Sequence, residues 1–274
     1  MSNVKEILRK YQVHPLKRLG QNFLIDKKVL KKIVESAELT KRDFVLEIGP
    51  GIGNLTVELA KKVKKVIAVE KDKRMIEILK ERLKEEGIEN VEIVNENILK
   101  FLSFFKLATP YKVVANIPYY LTSRLIRNLL EIKNKPKLIV LMVQKEVAQR
   151  ICAKPPKMSL LAVAVQFYAK PEIISFVSKK SFWPPPKVDS AIIKINPTKK
   201  FYQSHFRDLF FKIVKAGFSR PRKQLINNLS KTLGFDKNKV KAWLLQNKIL
   251  PTQRAESLSV EDWKKLAKTF KNEK

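Results

Sequence analysis

The 274-residue sequence is poor in cysteine (one), histidine (two) and glycine (seven), and its 26 Asp and Glu are outnumbered by 57 Lys and Arg. The single cysteine, Cys152, cannot close an intramolecular disulfide. Its apolar neighbours Ile151 and Ala153 read it as a small buried residue rather than a nucleophile. His14 and His205 lie far apart with no spaced Cys or His partners, so neither a metal cluster nor a Cys/His dyad is suggested and no metal is expected. No apolar run reaches the length of a membrane span or of a signal-peptide core. The chain is therefore expected to be soluble and cytoplasmic, and to work as a monomer. The shortage of acids leaves a formal net charge of +31 at pH 7. Such a field over the whole surface points to nucleic acid as the partner.

What is present is organised in two parts. From Phe44 to about Met142, short β-rich runs ("FVLEI", "VIAVE", "VEIV", "YKVVA", "KLIVLMV") alternate with segments of helical periodicity such as Met75, Ile76, Leu79 and Leu83. That alternation predicts a doubly wound α/β domain with a parallel sheet. A mainly apolar stretch "LLAVAVQFY" follows, then two further runs, "EIISFV" and "SAIIKI". These flank Pro184, Pro185 and Pro186, which cannot donate to a ladder and so mark a stiff loop. Beyond Pro197 the β-rich runs stop. Residues 197–274 read as a small all-α, RNA-binding domain carrying 19 Lys and Arg against 6 Asp and Glu, and residues 1–196 as the α/β domain before it.

Three of the seven glycines, Gly49, Gly51 and Gly53, fall in "VLEIGPGIGNLT" directly after the first strand run, and Glu70 ends the second. Glycine there lets a ligand approach the backbone closely, and an acid at the next strand end can accept two ribose hydroxyls. A nucleoside-bearing cofactor is implied. A nicotinamide dinucleotide is disfavoured, because its fingerprint is G-x-G-x-x-G aimed at a pyrophosphate, whereas the order here is G-x-G-x-G preceded by Glu47. This acid-plus-glycine form resembles the first motif of S-adenosylmethionine-dependent methyltransferases.

The fourth strand run leads into Asn116-Ile117-Pro118-Tyr119-Tyr120. It resembles the (Asn/Asp)-Pro-Pro-Tyr motif of methyltransferases that act on exocyclic amino nitrogens. The N6 lone pair of adenine is delocalised into the ring, so it must be held in line with the methyl group. The Asn116 side-chain oxygen and the Ile117 carbonyl can each accept one N6 hydrogen, which favours the nucleophilic form as positive charge develops. Tyr119 can stack on the extruded base. Stacking needs the ring and not the hydroxyl.

Nearly end to end, the chain resembles the small-subunit ribosomal RNA adenine N6-dimethyltransferases, the kasugamycin-resistance family. The segments that carry the resemblance are "LGQNFLID", "EIGPGIGNLT", "NIPYYLTS", "VQKEVAQRI", "SFWPPPKVDSAI" and "FSRPRKQLINNL". It implies a Rossmann-like α/β methyltransferase sheet with a small helical domain, S-adenosylmethionine as cofactor and small-subunit rRNA as partner. Two methyls would go to N6 of each of two adjacent adenosines in a hairpin loop near the rRNA 3′ end. It also implies roles: Asn22 and Leu24 at the methionine end of the cofactor, Gly49 and Gly51 for close backbone approach, Glu70 on the ribose, and Phe182 facing Tyr119 across the base. Where the family has an Asp at the end of strand three, this chain has Asn97 preceded by Glu96, and either could meet the cofactor adenine. Lys17, Arg18, Arg220, Arg222 and Lys223 are the RNA-contact candidates. The alternatives are a large-subunit adenine methylase and an RNA-binding assembly or transcription factor without catalysis. The proline loop and "FSRPRKQLINNL" favour the small-subunit branch, and the intact Glu70 and Asn116 speak against lost catalysis.

Overall fold

The computed structural model describes residues 4–16, 20–107, 109–198 and 202–270. The chain folds as two compact units. One runs to Ala148 and takes in Lys170–Pro197; the other comprises Gln149–Ala169 and the chain from Thr198 onward.

In chain order the first unit contains α1 (Val4–Lys10), β1 (Phe23–Leu24), α2 (Lys27–Ser36), β2 (Phe44–Ile48), α3 (Asn54–Ala60), β3 (Lys65–Glu70), α4 (Lys73–Glu85) and β4 (Val91–Asn95). It continues with α5 (Ile98–Phe104), β5 (Tyr111–Asn116), α6 (Thr122–Glu131) and β6 (Leu138–Gln144). Helix α7 (Lys145–Ile151) crosses into the second unit, and β7 (Ala169–Val177), β8 (Phe182–Trp183) and β9 (Ser190–Pro197) complete the strands. Among the described residues seven strands form one sheet in the order β4-β3-β2-β5-β6-β9-β7. From β4 to β6 every pairing is parallel, and β9 then runs antiparallel to β6 from Ile139↔Ile195 to Gln144↔Ser190. The central strands are continuous apolar runs because both faces are covered: Val45, Leu46, Val113, Val114, Ile139 and Val140 are all fully buried.

The sheet order places the cavity. From β2 the chain winds outward to β3 and β4, then returns to β5 on the other side of β2. The loops leaving β2 and β5 therefore diverge, and a crevice opens beyond the carboxyl ends of these strands. Beside the sheet, β1 pairs antiparallel with β8, Phe23 opposite Trp183 and Leu24 opposite Phe182. Helix α1 packs Val4, Ile7 and Leu8 into a small apolar cluster with Phe23, Ile52, Met75 and Ile78, which backs the glycine loop.

The second unit is helical: α8 (Leu160–Tyr168), α9 (Ser204–Gly217), α10 (Leu225–Leu233), α11 (Lys237–Gln246) and α12 (Val260–Lys268). The apolar stretch expected within a 1–196 domain is α8, and it packs on α9 and α12. Phe167 sits 4.2 Å, centroid to centroid, from Phe210. The boundary at 196/197 is thus corrected for residues 149–169. Their partners lie later in the chain, and a helix apolar nearly all round shows no face that would reveal this in sequence. Gly217 has no room for a side chain, since an added Cβ would lie 2.3 Å from the Trp263 ring.

Candidate active site

The glycine loop is shaped by backbone that side chains disfavour. Gly51 and Gly53 have φ of +57° and +87°. A Cβ at Gly53 would meet Leu79 Cδ1 at 2.5 Å, so this glycine serves the packing of loop on α4. Gly51 instead turns its N–H to Glu70 Oε2 at 3.2 Å. Arg82, buried on α4, donates Nη1 to Ile52 O (2.5 Å) and Asn54 Oδ1 (2.8 Å), and Asn54 Nδ2 reaches Leu24 O at 2.8 Å. Two polar residues that sequence reading passed over therefore tie α4, the glycine loop and β1 together. Their signal in sequence is weak, because Arg82 reads as one more charge on an amphipathic helix.

Glu70 ends β3 with its Oε1 accepting from Lys71 N (2.7 Å) and Asp72 N (2.8 Å). Burial raises its pKa, and the three backbone N–H groups oppose the rise. Beneath the loop lies Glu47, which is 1% exposed and has an unpartnered Oε2. Burial pushes its carboxyl up to about 8, the adjacent Thr56 hydroxyl opposing and the Glu70 charge adding. At the far end, Asn97 Oδ1 caps α5 through Leu99 N at 2.9 Å. Glu96 accepts from Asn97 N (2.8 Å) and pairs with Lys100 (2.7 Å). Glu47, Glu70, Glu96 and Asn97 line one cavity, and among the described residues Lys71 is the basic residue on its wall. Among the described residues of that wall, Glu70 and Glu96 set carboxyl groups against the base Lys71 while Glu47 keeps its proton, an arrangement that suits a ligand carrying positive charge, such as a sulfonium and an ammonium. A pyrophosphate would face those acids. The two-oxygen acceptor at Glu70 fits the ribose of a nucleoside cofactor, and the orphaned oxygen of the protonated Glu47 leaves a neutral polar group for a ligand to meet.

Asn22, Leu24, Gly49, Gly51, Asn116, Tyr119 and Phe182 line the same cavity, so the proposed cofactor and base residues converge on one site. Asn116 closes β5 and donates Nδ2 to Asn22 O at 3.3 Å, which leaves its Oδ1 as an acceptor. Asn22 is itself held by its Nδ2 on Gly20 O at 3.2 Å. Tyr119 starts a 3-10 turn, Tyr119–Leu121, whose carbonyl is fixed by Thr122 Oγ1 at 3.0 Å. The Tyr119 hydroxyl lies 2.7 Å from Ser190 Oγ, a contact that stacking alone does not call for. Phe182 is 2% exposed, carried by β8.

Of the RNA-contact candidates, Lys17 and Arg18 lie outside the described residues. Arg220, Arg222 and Lys223 are exposed in the turn between α9 and α10 of the second unit, where Arg220 borders a polar hollow with Ser219, Asn227, Lys231 and Thr232. Among the described residues no group of three or more His, Cys, Asp or Glu could hold a metal ion. Among them, too, no helix is long and apolar enough to cross a membrane.

A family model described as "Ribosomal RNA adenine dimethylase" matches residues 15–272. The "Ribosomal RNA small subunit methyltransferase A" of Dehalococcoides mccartyi (strain CBDB1) is 45% identical over 269 residues, 97% of this chain and 92% of the relative. Among solved structures, a dimethyladenosine transferase from Plasmodium falciparum is 32% identical with a TM-score of 0.75, covering 89% of this chain and 95% of that one. The 23S rRNA methyltransferase ErmE is 29% identical with a TM-score of 0.74, covering 90% and 98%.

Proposed function

The chain belongs to the ribosomal RNA adenine dimethylase family, and from that premise we propose how its cavity serves the reaction. The protein is an S-adenosylmethionine-dependent methyltransferase that dimethylates adenine N6 in small-subunit ribosomal RNA. The target in our reading is a pair of adjacent adenosines in a hairpin loop near the rRNA 3′ end. When bound, S-adenosylmethionine supplies an electrophilic methyl on a sulfonium sulfur, which the N6 lone pair takes as the C–S electrons return to sulfur.

The observation that carries this assignment is the Asn116 amide. With its Nδ2 engaged by Asn22 O, its Oδ1 is oriented to accept an N6 hydrogen. The Ile117 carbonyl accepts the second. These acceptors gain most when N6 becomes cationic, so they lower the barrier rather than tighten binding alone. Tyr119 and Phe182 hold the extruded base from its two faces. Glu70 holds the ribose, Glu96 or Asn97 the cofactor adenine, and Asn22, Leu24 and Glu47 surround the methionine end. The methylated N6 is acidic and loses its proton to water, so neither histidine is needed. Arg220, Arg222 and Lys223 grip RNA phosphates.

A large-subunit methylase is the second reading, and the likeness to ErmE keeps it in view. The more similar relative is named for the small subunit. The test is incubation with labelled S-adenosylmethionine and undermethylated small or large subunits, followed by nucleoside analysis. We expect label in N6,N6-dimethyladenosine from the small subunit. Label confined to the large subunit, or to another nucleoside, would overturn the assignment.

A further inference from the structure

Ser190 is fully buried, and its hydroxyl meets the Tyr119 hydroxyl at 2.7 Å. Its backbone has little freedom. Ser190 opens β9 in register with Gln144, the Asp189 carbonyl accepts from Lys145 N at 3.0 Å, and the Asp189 carboxylate accepts from Lys179 N at 3.0 Å. Eight residues earlier, the same loop begins with Phe182. That end is held as firmly: Ser181 O accepts from Ile25 N at 2.9 Å, Ser181 Oγ donates to Asp26 Oδ2 at 3.0 Å, and Phe182 pairs with Leu24. Between the two ends lie Pro184, Pro185 and Pro186, whose rings fix φ. One stiff loop therefore carries Phe182 directly and grips Tyr119 through Ser190.

We infer that Ser190 is a positioning residue for adenine capture, its hydroxyl holding the Tyr119 ring at a set separation from Phe182 before RNA arrives. The inference rests on the reading of Tyr119 as a face for the base. A phenylalanine at 119 would present the same ring, but untethered at its far edge, and would leave the Ser190 hydroxyl buried without a partner. The tether removes ring rotation that binding would otherwise have to freeze, so its loss is felt when the base enters and reacts.

The test is a cycle of Ser190→Ala, Tyr119→Phe and the double variant. It is read by single-turnover methyl transfer and by fluorescence of 2-aminopurine placed at the target adenosine, with cofactor affinity as a control for folding. Each single variant should slow transfer by about tenfold, the size of one lost hydrogen bond, and weaken the fluorescence change on base capture. Cofactor affinity and overall RNA affinity should stay at wild-type values. The double variant should be no slower than either single one, because both break the same bond. Wild-type rates in Ser190→Ala, or additive losses in the double variant, would overturn the inference. Should Ser190→Ala fail to bind cofactor, Tyr119→Phe breaks the bond from the other side and is read alone: a loss of about tenfold supports the tether, and a wild-type rate removes it. Tyr119→Ala separates this idea from the reading beneath it. If Tyr119→Ala is silent, the base-stacking role itself fails; if it is damaging while Ser190→Ala and Tyr119→Phe are silent, only the tether fails.

Discussion

Glu47 shows at the scale of one residue what a binding site costs its fold. A glutamate in the unfolded chain ionises near about 4.3, whereas burial holds Glu47 protonated up to about 8. Below the lower value both states keep the proton and pH has no effect. Between the two the folded state binds more protons than the unfolded one, so stability falls as pH rises, and above about 8 the loss is complete. Glu47→Gln removes the titration. In urea melts the variant should match wild type near pH 4.5 and exceed it by a few kcal/mol at pH 8.5. Parallel pH profiles would show that Glu47 ionises normally. Glu70, by contrast, is expected to be valuable to the cofactor: Glu70→Ala should weaken S-adenosylmethionine binding by roughly 1.5 to 3 kcal/mol in calorimetry, as for loss of a charged acceptor. Nicotinamide dinucleotide should not compete in the wild type. Unchanged affinity in the variant would take Glu70 out of the site. Both acids were visible in the sequence by their place around the glycines. The partners that hold the glycine loop, Arg82 and Asn54, were not, because such tertiary hydrogen bonds leave no periodic trace.

At the scale of elements, the five strands from β2 to β6 fall where the β-rich runs lie, since buried parallel strands are written as β-branched runs between turns. The antiparallel entry of β9 and the two-residue pairing of β1 with β8 were illegible, as they depend on loops returning from far along the chain. The N-terminus of α2 joins these features. Asp26 Oδ1 caps it through Lys28 N (2.9 Å) and Val29 N (3.3 Å), while Oδ2 holds Ser181. Asp26→Ala should cost about 1 to 2 kcal/mol for the missing cap. It should also speed trypsin cleavage after Lys180, which is exposed beside the freed Ser181. Wild-type cleavage rates would mean that the loop bearing Phe182 is held without Asp26. The helical unit gives a similar lesson. Its charge was plain in the sequence, but the membership of α8 was not, so a truncation at residue 197 would strip α8 of the partners that bury Val163 and Phe167.

At the scale of the whole molecule, charge and pocket divide the work. The net charge of +31 draws RNA to the surface, while the cavity beyond the strand ends, with Glu70 on its wall, takes the cofactor. Combined Arg220→Ala, Arg222→Ala and Lys223→Ala substitution should lower the slope of log affinity against log salt by about 0.7 to 0.9 for each phosphate that is no longer neutralised. Cofactor affinity should not move. An unchanged slope would place the RNA grip elsewhere on the surface. The central claim, that Asn116 activates adenine N6, is tested most directly by single-turnover methyl transfer from S-adenosylmethionine to undermethylated small subunits, comparing wild type with Asn116→Ala. Transfer in the variant should be slower by about 100-fold or more, as for loss of one oriented transition-state acceptor, with RNA affinity nearly unchanged. Transfer at the wild-type rate by Asn116→Ala would contradict the claim.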